Sequence, residues 1–219
     1  MEHLSLLAKL ILGSCSLSLI CLAILHIVSA EFKPSWRMVS EYALGKHKWL
    51  LTSFFILWSI GSILTSIHLW NFVTSKLAYT GLILIFISGI GAFMGGLFDV
   101  KHKLHGFSFL MGVPTLPVGA VLVSYNLLNL GYGTSSQSFI LWSAHATWMS
   151  LVLMAISMIV MMTGFKKSGI PMGPNIEPPK VVPEGVIALA GYANRILVIC
   201  YIGWLIVISS INLTSSANL

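Results

Sequence analysis

Six stretches of the chain are almost continuously apolar, at approximately residues 8–29, 49–70, 77–98, 107–129, 139–163 and 185–211. A helix needs roughly 20 mostly apolar residues to cross a bilayer. The stretches do not alternate apolar and polar residues, as the strands of a membrane barrel do. Backbone facing lipid has no water to bond, so such a segment satisfies its own N–H and C=O groups by coiling into a helix. The pattern predicts an all-α bundle of six transmembrane helices forming one domain over residues 1–219.

Breakers sit at definite places. Pro114 and Pro117 fall inside the fourth run, where they should kink the helix and free backbone carbonyls. Gly91 and Gly95 in the third run form a small-xxx-small pair suited to close helix approach. Residues 164–184 hold Pro171, Pro174, Pro178, Pro179 and Pro183, which predicts an extended, irregular loop. Val28-Ser29-Ala30 resembles a signal-peptide cleavage site. The run before it is long enough to span, however, so retention as a helix is expected.

Composition agrees with burial in lipid. The 219 residues are 57% hydrophobic and 8% charged, whereas an ordinary soluble domain is about a quarter charged. A soluble fold of this size could not hide so much apolar surface. Cys15, Cys21 and Cys200 all lie in apolar runs with no CxxC pair, which reads as buried thiols.

The charge is distributed asymmetrically. Lys33, Arg37, Lys46 and Lys48 lie after the first run, Lys101 and Lys103 after the third, and Lys166, Lys167 and Lys180 after the fifth. Lys9 and Lys76 alone fall on the other side. Basic residues mark the cytoplasmic loops of membrane proteins. The pattern therefore predicts an inner-membrane protein with both termini outside. The formal charge of +6 then reports orientation, and nucleic acid is not an expected partner. Membrane lipids are. Assembly as a homo-oligomer or in a larger membrane complex is compatible with so small a chain.

The candidate chemistry collects on the inner side. Of six acidic residues, only Glu2 lies outside. Arg195 sits inside the last run, where a guanidinium must pair, face a cavity or snorkel. It is roughly 15 Å along a helix from Glu184, so Glu41 and Asp99 are the expected partners. The leading expectation is a cytoplasm-facing polar pocket of Ser40, Glu41, Asp99, His105 and Arg195 that takes a lipid headgroup or small anionic solute. The reading that demands less is an ion-pair network holding the helices together, as in a structural subunit. Asp99, His102 and His105 offer carboxylate and imidazole to a zinc-like metal. With Glu41 as general base, they would make a metal-dependent membrane hydrolase. His68 and His145 lie in the outer halves of their runs, where a pair of histidines suits a haem b electron carrier. His26 and these two otherwise read as interhelical hydrogen-bonding residues.

Four short motifs carry a resemblance. Ser-Glu-Tyr-Ala-Leu-Gly (40–45), Gly-Leu-Phe-Asp (96–99), His-Gly (105–106) and Gly-Tyr-Ala-Asn-Arg (191–195) resemble the uncharacterised integral-membrane family called domain of unknown function 998. The resemblance covers most of the chain. It implies a multi-pass protein of about six helices and no particular activity. It also implies that Glu41, Asp99, His105 and Arg195 lie near one another.

Overall fold

The computed structural model describes residues 2–133, 136–170, 179 and 181–211, with the side chains of 2–5 left aside. Every regular element among these residues is helical. The helices are α1 (Glu2–Val28), α2 (Lys48–Leu69), α3 (Lys76–Leu97), α4 (His105–Gly112), α5 (Thr115–Asn129), α6 (Gln137–Lys167) and α7 (Ala190–Ser210), with a short 3-10 segment at Val39–Leu44. Six helical spans among the described residues are long and apolar enough to cross a membrane, with α4 and α5 together forming the fourth. The chain is an all-α, multi-pass membrane bundle.

Successive spans pack on one another, and α7 closes the ring against α1. Short connections make neighbours antiparallel, as in other helical bundles. The last span is the most enclosed, with 61% of its apolar window buried against 22% for α6. Its inner face is filled by Leu197, Tyr201, Trp204, Leu205 and Ile208, all essentially inaccessible. Polar groups in this core find backbone acceptors: Ser18 donates to the Phe54 carbonyl and Ser66 to that of Leu82, both at 2.8 Å. Such bonds link helices that lipid tails do not drive together.

The fourth run breaks where its prolines fall. Val113 and Pro114 keep right-handed helical dihedrals, so the chain does not turn away there. What is lost is hydrogen bonding. Pro117 has no N–H for the carbonyl four residues back, and that Val113 carbonyl instead accepts from the Tyr201 hydroxyl at 2.7 Å. The Gly112 carbonyl accepts from Ser88 at 2.7 Å. Gly91 meets the same place, since a Cβ on it would collide with the backbone of Gly112. The small pair in α3 thus serves contact within the chain.

Two expected boundaries move. The fifth span continues past Gly164 to Lys167, because Gly164 stays helical under Val186. The last helix begins at Ala190, since Gly185 adopts φ +78° and the chain reaches the bundle only after it. Most of the proline-rich loop, residues 171–178 and 180, lies outside the described residues. Trp49 and Trp70 are exposed, whereas Trp36 is buried edge-on against Phe165, with ring centroids 6.2 Å apart.

Candidate functional site

The segment between α1 and α2 folds back over the start of α7. The first N–H groups of a helix lack internal partners. Here Gly191 and Tyr192 donate theirs to the Ser35 carbonyl, at 3.0 and 3.3 Å. Gly191 is required at this contact, because a Cβ there would lie 2.7 Å from Trp36 N and 2.8 Å from the Arg37 carbonyl. Asn194 accepts from the Val39 amide at 2.9 Å. The motifs at 40–45 and 191–195 are therefore two sides of one interface.

Arg195 is the centre of that interface and is only 8% exposed. Its Nε donates to His26 Nε2 at 2.6 Å. Its Nη1 donates to the carbonyls of Arg37 (2.6 Å) and Gly191 (2.9 Å). Its Nη2 donates to the Tyr42 hydroxyl at 3.1 Å. The His26 tautomer follows from its partners. Nδ1 faces the Leu22 carbonyl at 2.6 Å, which only accepts, so Nδ1 carries the proton. Nε2 then presents a lone pair to the guanidinium, and His26 is neutral.

Arg37 is placed differently. Its guanidinium lies over the rings of Trp36 (4.7 Å) and Phe32 (5.6 Å), a favourable cation–π position. Its Nε is 3.4 Å from Glu41 Oε2. The direction of that approach is not that of a hydrogen bond, and both Glu41 Oε2 and Arg37 Nη1 are buried without a hydrogen-bond partner among the described residues. Burial pushes the Glu41 carboxyl above its ordinary value, opposed by Arg37, the Met38 backbone and Arg195. Among the described residues, Glu41 thus pairs with Arg37 alone and feels Arg195 only through its charge.

Asp99 lies apart from this cluster. It pairs with Lys48 Nζ at 3.3 Å, with both side chains substantially exposed, and accepts from the Lys101 amide at 3.1 Å. Slight burial raises the Asp99 carboxyl, but the Lys101 amide and Lys48 outweigh it and hold the group below its ordinary value. His102 stacks on Phe98, ring centroids 4.4 Å apart, and accepts from the Leu104 amide. His105 Nδ1 donates to the Phe98 carbonyl at 3.1 Å. Among the described residues, no group of three or more His, Cys, Asp or Glu side chains is arranged to hold a metal.

His68 and His145 also have separate surroundings. His68 is buried beside Phe72. His145 has both ring nitrogens engaged, by Tyr125 at 3.1 Å and by the Trp148 indole at 2.9 Å. An axial haem ligand needs a free ring nitrogen directed at iron, which His145 does not offer in this arrangement.

Ser40 and His105 both line a cavity of about 80 Å³ between α2, α3, α4 and α7. Asn194 and Ser108 also line it, with Phe55, Trp58, Leu197 and Val198 supplying apolar surface.

Comparison with known families accords with these motifs. A family model described as Protein of unknown function (DUF998) matches residues 13–211. The chain belongs to this family. No curated protein and no solved structure matches it. All four motifs lie within the matched DUF998 region, which also includes His26 and Arg37.

The sequence reading singled out Arg195 and Glu41 but not His26, Arg37, Tyr42 or Asn194 as their neighbours. A signal for His26 was present. It stands at the C-terminal end of the first run, and Arg195 stands in the first half of the last, ends that antiparallel packing of six spans puts on one side.

Proposed function

We propose that this DUF998 protein binds an anionic group, that of a lipid headgroup or small solute, at the inner face of the bacterial or archaeal cytoplasmic membrane. Arg37 is the recognising residue and Arg195 the anchor that holds its backbone. The observation that carries this reading is Arg37 Nη1, which is buried and lacks an acceptor among the described residues. A buried donor without a partner costs about 1–3 kcal/mol, and an anionic oxygen would satisfy it. Glu41 supplies one negative charge against Arg37 and Arg195, which leaves room for a second. Lys33 and Lys46 flank the same segment in sequence, and basic residues at an inner leaflet attract anionic lipids. Loops one, three and five facing the cytoplasm, with both termini outside, belong to the same reading and rest on the lysine asymmetry.

The test is retention of phosphatidylglycerol against phosphatidylcholine by purified protein, read by native mass spectrometry. Arg37→Gln should weaken the anionic lipid's binding about tenfold, equivalent to about 1.4 kcal/mol. Lys101→Gln serves as a control for general surface charge and should have little effect. Competition by inorganic phosphate would identify a site open to free anions, and its absence one that requires the lipid. Equal lipid retention by Arg37→Gln and the parent protein would overturn the proposal.

A further inference from the structure

The cavity between α2, α3, α4 and α7 differs in chemistry from the arginine cluster. Its lining includes no Lys, Arg, Asp or Glu side chain. Trp58 forms part of its wall and is 4% exposed. The Trp58 indole N–H is one of the few buried side-chain donors with no hydrogen-bond partner among the described residues. Indole donates and never accepts, so the unmet requirement is for an acceptor. Also in the lining, His105 keeps Nδ1 committed to the Phe98 carbonyl, which leaves Nε2 as a lone pair in the neutral ring. Ser40 adds a hydroxyl there.

Size and polarity narrow the occupant. The cavity's volume is about 80 Å³, roughly half that of an engineered apolar cavity that accepts benzene. That is room for a few heavy atoms. An ion would enter without a compensating charge on the wall, at a large desolvation cost. A purely apolar molecule would leave the indole N–H unmet.

We infer that this cavity is a binding site for a small uncharged molecule bearing one acceptor oxygen, a short ketone, alcohol or ester, which takes the Trp58 N–H. Ser40 and His105 are among its lining residues, and Arg37 is not.

The experiment uses full-length protein in micelles with ¹⁵N-labelled indoles, the Trp58 resonance being assigned by its loss in Trp58→Phe. Butan-2-one is the probe. The hydrocarbon 2-methylbut-1-ene, which replaces the carbonyl oxygen with a CH₂ group, is the control. The expected result is a saturable downfield shift of the Trp58 N–H with the ketone and none with the hydrocarbon. Ala92→Leu, which places bulk in the cavity wall, should abolish the shift. Saturation-transfer measurement on the ketone gives a second readout independent of that variant, with Trp58→Phe weakening binding about fivefold or more. The inference fails if the ketone shift is not saturable or if the hydrocarbon shifts the resonance equally. It also fails if an ordered water, seen as a cross-peak from the Trp58 N–H to water, persists at saturating ketone.

Discussion

Arg195 Nε donates to His26 Nε2 at 2.6 Å, joining the C-terminal end of α1 to the first half of α7 across 169 residues of sequence. The acceptor is a neutral imidazole, not a carboxylate. A buried ion pair must recover the desolvation of two charges, whereas here one charge is spread over four neutral acceptors. Replacing His26 with Ala leaves the guanidinium short of one of them. The expected loss is about 1–3 kcal/mol, measured by reversible unfolding in mixed micelles. His26→Gln, which keeps an amide oxygen, should lose less. Arg195→Lys retains the charge but not the planar fork and should be as damaging as His26→Ala. A His26→Ala protein as stable as its parent would remove this contact from the account of the fold.

Glu41 sets a pH dependence of definite sign. Burial raises its carboxyl above the ordinary value of 4.5, against the opposing effects of Arg37, Met38 N–H and Arg195. The folded state therefore binds a proton more readily than the unfolded state. Stability from this group is fully present below the unfolded value and is lost as pH rises through the folded value. Melting temperature followed upward from about pH 4 should show a decline that Glu41→Gln removes. His26, Tyr42 and the two arginines face the same cluster, so the comparison between parent and variant, not the bare profile, isolates Glu41. A decline of equal size in both would assign it to another group.

Gly191 and Gly203 are both in α7 and should respond oppositely to Ala. At Gly191 a Cβ would meet the backbone of Trp36 and Arg37 at 2.7 and 2.8 Å, and backbone cannot step aside. Overpacking of this kind costs about 1–3 kcal/mol, occasionally more. At Gly203 nothing lies within 4 Å, and Ala removes a helix penalty of up to about 1 kcal/mol. Unfolding of the two single variants should bracket the parent protein. Equal effects would mean that loop one is not seated on α7.

The six spans and the interruption at Pro114 were legible because both follow from local chemistry: apolar length and a missing N–H. The need for Arg195 to find partners was legible for the same reason. Their identity was not. A carboxylate was the expected partner by charge alone, but Asp99 is drawn to Lys48 by proximity across α2 and α3. Glu41 turns to Arg37, one helical turn away in sequence. His26 reaches Arg195 only because α7 packs back on α1, a closure that no local pattern encodes. Gly164 illustrates the opposite failure. Placed at the start of the proline-rich loop, it is instead a packing surface for Val186, and the helix runs on to Lys167.

The Tyr201–Val113 bond carries the last prediction. Pro117 deprives the Val113 carbonyl of its helical donor, and the Tyr201 hydroxyl replaces it at 2.7 Å. Tyr201→Phe should therefore cost about 1–2 kcal/mol by leaving a buried carbonyl unmet. In a Pro117→Ala background the chain regains an N–H at position 117. The dihedrals of Val113 and Pro114 are already helical, so that N–H is positioned for the same carbonyl. The cost of Tyr201→Phe should then shrink, giving a coupling of roughly 1 kcal/mol in the double-mutant cycle. Additive effects would show that the hydroxyl does not substitute for the proline's missing donor. Tyr201 also packs edge-on against Trp58, with ring centroids 6.1 Å apart. The same cycle, read through the Trp58 indole resonance, would therefore report whether the proline break holds the wall of the cavity in place.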